Sequence, residues 1–205
     1  MVRVKICGVT RGEDALCAVE AGASAVGFIF VPGSPRQVTP AAARAMIRTI
    51  PPFVTSVGVV VDATRGEINR LIEETGIGCL QLHGDETPDD VTGYPVPVYK
   101  AFRVGPGFDP RILGKYPVQA CLLDSLIEGV RGGTGRTFKW DIALQAKTYA
   151  RIILSGGITP ANVGEAIRQV RPYAVDVSSG VESSPGVKDR NTIKRLMEAV
   201  QMADH

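Results

Sequence analysis

The sequence predicts an α/β fold, specifically a single-domain (β/α)8 TIM barrel, on three observations. Eight short apolar runs recur along 205 residues, amphipathic stretches separate them, and the spacing is about 25 residues throughout. The runs are near-continuously apolar rather than alternating, as strands buried on both faces of a parallel sheet read. They are VRVKI (2–6), AVGFIF (25–30), VTSVGVV (54–60), GCLQL (78–82), PVYKAF (97–102), QACLLD (119–124), RIILS (151–155) and YAVDV (173–177). Eight βα units in one chain of this length fall near the lower end of about 200 residues for such a barrel. A doubly wound sheet is the alternative, disfavoured by eight parallel strands with no GxGxxG after the first. No Pro/Gly/Ser linker or composition shift divides residues 1–205, so one domain is expected.

Each unit carries its own signals. Strand 1 ends at Cys7-Gly8, and Thr10 with Glu13 has the capping-box spacing that opens a helix. The loop after strand 2 carries PGSPRQ with Arg36, and Thr39-Pro40 puts a capping hydroxyl before a first-turn proline. Strand 3 is followed by Asp62 and a second capping box, Thr64 with Glu67, ahead of the stripe Ile68, Leu71, Ile72. Strand 4 runs into His83-Gly84, and Thr87-Pro88 repeats the hydroxyl–proline start. Lys100 lies near the end of strand 5, and Asp124 ends strand 6, followed by a long loop with GGTG (132–135). After strand 7 come SGGI (155–158), Thr159-Pro160 and the stripe Val163, Ala166, Ile167, Val170. After strand 8 come SSGVE (178–182) and a last helix with Ile193, Leu196, Met197 and Val200 on one face.

Composition narrows the function classes. Apolar residues make up 44% and charged residues 21%, an ordinary globular balance. A net charge of +2 gives no electrostatic reason to expect nucleic acid or anionic membrane as partner. Neither a leader pattern nor a bilayer-length apolar run is visible. Four cysteines without CxxC spacing read as reduced thiols, so the expected location is cytoplasmic. With two histidines, one of them the terminal His205, a His-rich metal cluster cannot be assembled, and no metal is expected.

In such barrels the active site is built at the C-terminal ends of the strands. Phosphate is commonly held by the loops after strands 7 and 8, where Gly156, Gly157, Ser179 and Gly180 let backbone N–H groups approach an anion. Gly133 and Gly135 could close over the same group. The expected ligand is therefore a phosphorylated small molecule. A thiolate at Cys7 can take a proton from carbon if nearby cations lower its pKa. Asp124 can donate a proton from a partly dry site, and Arg36 can grip a carboxylate with two N–H groups. Asp62, His83 and Asp176 compete as acids, bases or substrate-binding groups, and Lys100 leaves Schiff-base chemistry open.

Several stretches, taken in order, resemble phosphoribosylanthranilate isomerase. They are VKICGVT (4–10), PGSPRQV (32–38), QLHGDE (81–86), LLD (122–124), GGTGRTFKW (132–140), LSGGITPANV (154–163) and VDVSSGVESSPGVKD (175–189). KICG, GGTG with F-x-W, and VSSGVE with PGxKD are specific in combination. The resemblance implies an Amadori rearrangement in tryptophan biosynthesis, without redox cofactor or metal. It makes Cys7 the general base, Asp124 the general acid and Arg36 the holder of the anthranilate carboxylate. By the same resemblance Gly156, Gly157, Ser179 and Gly180 belong to the phosphate site, with Gly133 and Gly135 in a loop near it. A monomer or homodimer is expected. Another phosphosugar isomerase or epimerase, or a non-catalytic sugar-phosphate-binding barrel, is the alternative. Indole-glycerol-phosphate synthase-like barrels carry extra sequence before strand 1, whereas here strand 1 begins at residue 2.

Overall fold

The computed structural model describes residues 2–125 and 138–203. Eight strands close into a parallel barrel in chain order: β1 Arg3–Ile6, β2 Ala25–Ile29, β3 Thr55–Val60, β4 Cys79–Leu82, β5 Val98–Val104, β6 Cys121–Ser125, β7 Ile152–Ser155 and β8 Ala174–Val177. The barrel closes where β1 pairs with β8, with Arg3 opposite Ala174 and Ile6 opposite Val177. Every expected strand is found to within two residues at each end. Among the described residues, six α-helices pack outside: α1 Gly12–Glu20, α2 Pro40–Ile47, α3 Arg65–Thr75, α4 Phe138–Ala146, α5 Val163–Val170 and α6 Arg190–Ala203. Their predicted apolar stripes face inward, with Val163, Ala166, Ile167 and Val170 of α5 and Ile193, Leu196, Met197 and Val200 of α6 all buried.

Eight regular βα units are not what the described residues show. Thr87-Pro88 opens a turn, not a helix, although Asp90 accepts both the Thr87 N–H and its hydroxyl as Glu67 does for Thr64. The β5–β6 connection carries a 3-10 helix, Pro110–Lys115. The capping boxes also divide. Thr64 and Glu67 form one in full, whereas Thr10 does not cap α1. Its hydroxyl instead donates to the Gly186 carbonyl at 2.6 Å, a partner 176 positions away. Thr159-Pro160 likewise precedes a turn, and α5 begins at Val163 behind Asn162. Among the described residues no helix is long and apolar enough to cross a membrane.

Side chains alternate along each strand, so every second residue faces the lumen. Such lumens are usually filled by branched apolar residues. One layer here is polar instead: Lys5 of β1 reaches Gln81 of β4 at 3.0 Å and Asp176 of β8 at 2.9 Å, and the Tyr99 hydroxyl of β5 donates to Gln81 Oε1 at 2.8 Å. Since β1 and β4 are not neighbours, a bond between them must cross the barrel. Gly27 of β2 makes the room, because a Cβ there would stand 2.9 Å from both Cys7 Sγ and Lys5 Cε.

Candidate active site

Two residues above the polar layer, the same strands present a second set of groups at the barrel mouth. Cys7 follows Lys5, His83 follows Gln81, Ser178 follows Asp176, and Asp124 stands on β6. The Cys7 N–H donates to the Val177 carbonyl at 2.8 Å, so pairing with β8 continues through the thiol's own residue. Gly8 then turns at φ 71°, and a Cβ there would sit 2.6 Å from the Arg36 Cδ, so only glycine lets that side chain cross. His83 and Asp124 are each about three-quarters covered, at 23% and 28% side-chain exposure, and His83 Nε2 stands 3.2 Å from Asp124 Oδ2.

Cys7 is almost fully buried. Burial pushes its thiol up, and Asp176 adds to the effect; Lys5 and Lys188 pull it down but do not win. Cations are present, as expected for a base, yet the net shift is upward. In the free protein at neutral pH the sulfur therefore carries its proton. For Lys5, burial would lower the ammonium, but Asp176 and Cys7 raise it well above the ordinary lysine range. It is a fixed positive charge beside the sulfur, the two lying on either side of the space that a Gly27 Cβ would fill.

Arg36 is already engaged. Its Nε and Nη2 donate to the two oxygens of Glu182 at 2.8 and 2.6 Å, a fork-to-fork pair. Lys188 Nζ donates to the same carboxylate at 2.8 Å and has a fully buried side chain. The hairpin of β9 Glu182–Ser184 and β10 Val187–Lys188 brings these two charges under Arg36. It is stitched to the first βα unit by the Thr10 hydroxyl on Gly186 and by Asp14 of α1, which accepts the Lys188 N–H at 3.0 Å. Glu182, Lys188, Lys5 and Gln81 were not singled out from sequence. Lys5 and Gln81 carried one usable signal, a polar residue two places before a candidate site residue and flanked on both sides by apolar ones.

Other candidates fall elsewhere. Asp176 lies below the mouth as the buried ion partner of Lys5, not as a free substrate-binding carboxylate. Asp62 accepts the Asp85 N–H at 2.6 Å and holds loop against loop. Lys100 is buried against Glu86 at 3.2 Å and donates to the Gly84 and Ala101 carbonyls, so it presents no free amine for a Schiff base. The loops after β7 and β8 do meet: a Cβ on Gly180 would collide with the Ile158 carbonyl, so Gly156-Gly157 and Ser179-Gly180 lie on adjoining backbone. The Ser178 hydroxyl beside them is buried without a hydrogen-bond partner among the described residues. Gly133 and Gly135 lie outside the described residues.

The family model described as N-(5'-phosphoribosyl)anthranilate (PRA) isomerase matches residues 4–199. The chain belongs to this family. N-(5'-phosphoribosyl)anthranilate isomerase of Pseudomonas savastanoi pv. phaseolicola is 52% identical over 201 residues, covering 97% of each chain. The crystal structure of phosphoribosylanthranilate isomerase from Thermotoga maritima has a TM-score of 0.90 at 42% identity, covering 98% of this chain and all of that one. A second solved phosphoribosylanthranilate isomerase, in complex with reduced 1-(o-carboxyphenylamino)-1-deoxyribulose 5-phosphate, has a TM-score of 0.88 at 40% identity over 98% of this chain and 100% of that one. The likeness to these phosphoribosylanthranilate isomerases is one of fold and family, and this member presents a thiol, a carboxyl-bearing strand end and two glycine loops on one face of its closed barrel.

Proposed function

We propose that the chain, acting as one domain, converts N-(5'-phosphoribosyl)anthranilate to 1-(2-carboxyphenylamino)-1-deoxyribulose 5-phosphate in tryptophan biosynthesis, with Asp124 as general acid and Cys7 as general base. One observation carries the assignment. Hydrogen bonds run from Lys5 through Gln81 and His83 to Asp124, and the Lys5 ammonium lies beside the Cys7 sulfur, since a Cβ on Gly27 would stand 3.1 Å from one and 2.9 Å from the other. Asp124 gives a proton to the ribose ring oxygen, the C1–O bond breaks, and the anilino nitrogen becomes a C1 iminium. That cation acidifies the C2 hydrogen. Cys7 thiolate takes the proton, the C–H electrons form an enolamine, and proton shifts yield the aminoketone. No electron leaves the substrate, so the chemistry asks for no nicotinamide or flavin, and the iminium is the electron sink that a metal would otherwise supply.

The working form thus has the proton on Asp124 and none on Cys7. Arg36 keeps its Nη1 edge for the anthranilate carboxylate while Glu182 holds the other edge. The adjoining loops at Gly156-Gly157 and Ser179-Gly180 take the phosphate, with Gly133 and Gly135 assigned to its cover. The enzyme works in the cytoplasm as a monomer or homodimer on a small molecule, with no nucleic acid or membrane partner. The test is loss of substrate fluorescence on adding purified protein. Cys7→Ser and Asp124→Asn should each lower kcat by ~10²–10⁴ with KM little changed; near-normal kcat in both removes the acid–base pair.

A further inference from the structure

The orientation of one amide decides which way the hydrogen bonds run across the barrel. Gln81 Oε1 meets Lys5 Nζ at 3.0 Å and the Tyr99 hydroxyl at 2.8 Å. An ammonium has three donors and no acceptor, so the atom facing it must be the amide oxygen. Asp176, 2.9 Å from Nζ, keeps that ammonium charged. The Gln81 nitrogen therefore points the other way, to His83 Nδ1 at 2.7 Å. An NH2 group only donates, so Nδ1 must present its lone pair, and the proton of the neutral ring sits on Nε2. From there it points at Asp124 Oδ2, 3.2 Å away. The tautomer follows from the charge on a lysine two side chains distant.

We propose that Gln81 is a positioning residue for the proton donor: through His83 it fixes one N–H on Asp124 Oδ2 and bars a proton from Nδ1. This rests on the assignment of Asp124 as general acid. Two consequences follow from the chemistry. With Oδ2 occupied as an acceptor, the acid proton resides on Oδ1, the oxygen left to face the substrate. As that proton departs, the Nε2–H···Oδ2 contact becomes charge-assisted and strengthens, so it favours the transition state over the ground state. A ring protonated on both nitrogens would set Nδ1–H against the Gln81 NH2, donor against donor at 2.7 Å. His83 is thereby a hydrogen-bond donor and not the acid, a choice that residue type alone left open.

The chain has two histidines, and His205→Gln leaves one for ring-nitrogen NMR. In the full chain at neutral pH, His83 should show a protonated Nε2 and a bare Nδ1; a proton on Nδ1 overturns the proposal. Gln81→Glu puts an acceptor beside Nδ1, should draw a proton there, and should lower kcat by ~10–100-fold with KM within about twofold. An unchanged kcat with the altered tautomer overturns the positioning role. His83→Gln places an amide N–H where Nε2–H was and should recover most of the kcat that His83→Ala loses; equal loss in both refutes the donor role. Should Gln81→Glu fail to fold, the wild-type tautomer and the His83 pair still decide. Activity retained in Asp124→Asn would strike the acid assignment while leaving the tautomer result standing, so the two failures read differently.

Discussion

Replacing Glu182 by glutamine deletes one negative charge that two cations share. Its Oε1 accepts from Arg36 Nε and Lys188 Nζ, both at 2.8 Å, and its Oε2 from Arg36 Nη2 at 2.6 Å. Burial alone would push the Glu182 carboxyl up, but these bonds bring it from 4.5 down to about 2. A drop of that size corresponds to roughly 3 kcal/mol favouring the folded state at neutral pH. Burial outweighs Glu182 at Lys188, whose ammonium stays below its usual range, so the net contribution is smaller than that figure. The sign is set by the depressed carboxyl: the contribution is complete above about pH 4.5 and fades as pH falls toward 2. By pH 3 the linkage leaves less than half of it. Glutamine has no such titration. Urea unfolding followed by circular dichroism should therefore show the wild type more stable than Glu182→Gln at pH 7, with the gap ~1–2 kcal/mol smaller at pH 3. A gap that stays flat or widens on acidification would refute the reasoning. The same variant frees the Arg36 guanidinium from its brace, so KM should rise more than kcat falls.

Three further outcomes follow from the same geometry. Lys5→Met removes the nearest cation that opposes the upward shift of the Cys7 thiol, so the thiolate-dependent limb of the pH–rate profile should move to higher pH. It also strands the Asp176 carboxylate, and stability should fall by ~3–5 kcal/mol, much of it restored by adding Asp176→Asn. Gly27→Ala forces a methyl group 2.9 Å from Cys7 Sγ and Lys5 Cε. It should cost ~1–3 kcal/mol in thermal or urea unfolding and depress kcat, and an unaltered kcat would show that the lumen has slack. Thr64→Ala removes the complete capping box of α3, an exposed pair in which Thr64 and Glu67 bond each other. Denaturation should show a loss of ~1 kcal/mol with kcat and KM unchanged.

The architecture was legible because its signals are local. A strand buried on both faces must be apolar along its whole length, so the eight runs marked β1–β8 wherever they fell. The α5 and α6 stripes needed only their own spacing. Thr64 and Glu67 found each other three residues apart, which made that cap readable. Thr10 and Glu13 have the same spacing, but the Thr10 hydroxyl goes to the Gly186 carbonyl, a competitor that only the folded chain supplies. Strand ends also located Cys7, His83 and Asp124, because a barrel places its site there whatever the chemistry. What surrounds them was decided in three dimensions. Lys5 meets Asp176 across 171 positions and Gln81 across 76, and Arg36 meets Glu182 across 146. Period-two alternation says that Lys5 and Gln81 face inward, but not which strand stands opposite. Closure of the barrel sets that partner, and with it the charge beside Cys7 and the tautomer beside Asp124, because Coulomb energy and hydrogen-bond direction depend on separation in space and not along the chain.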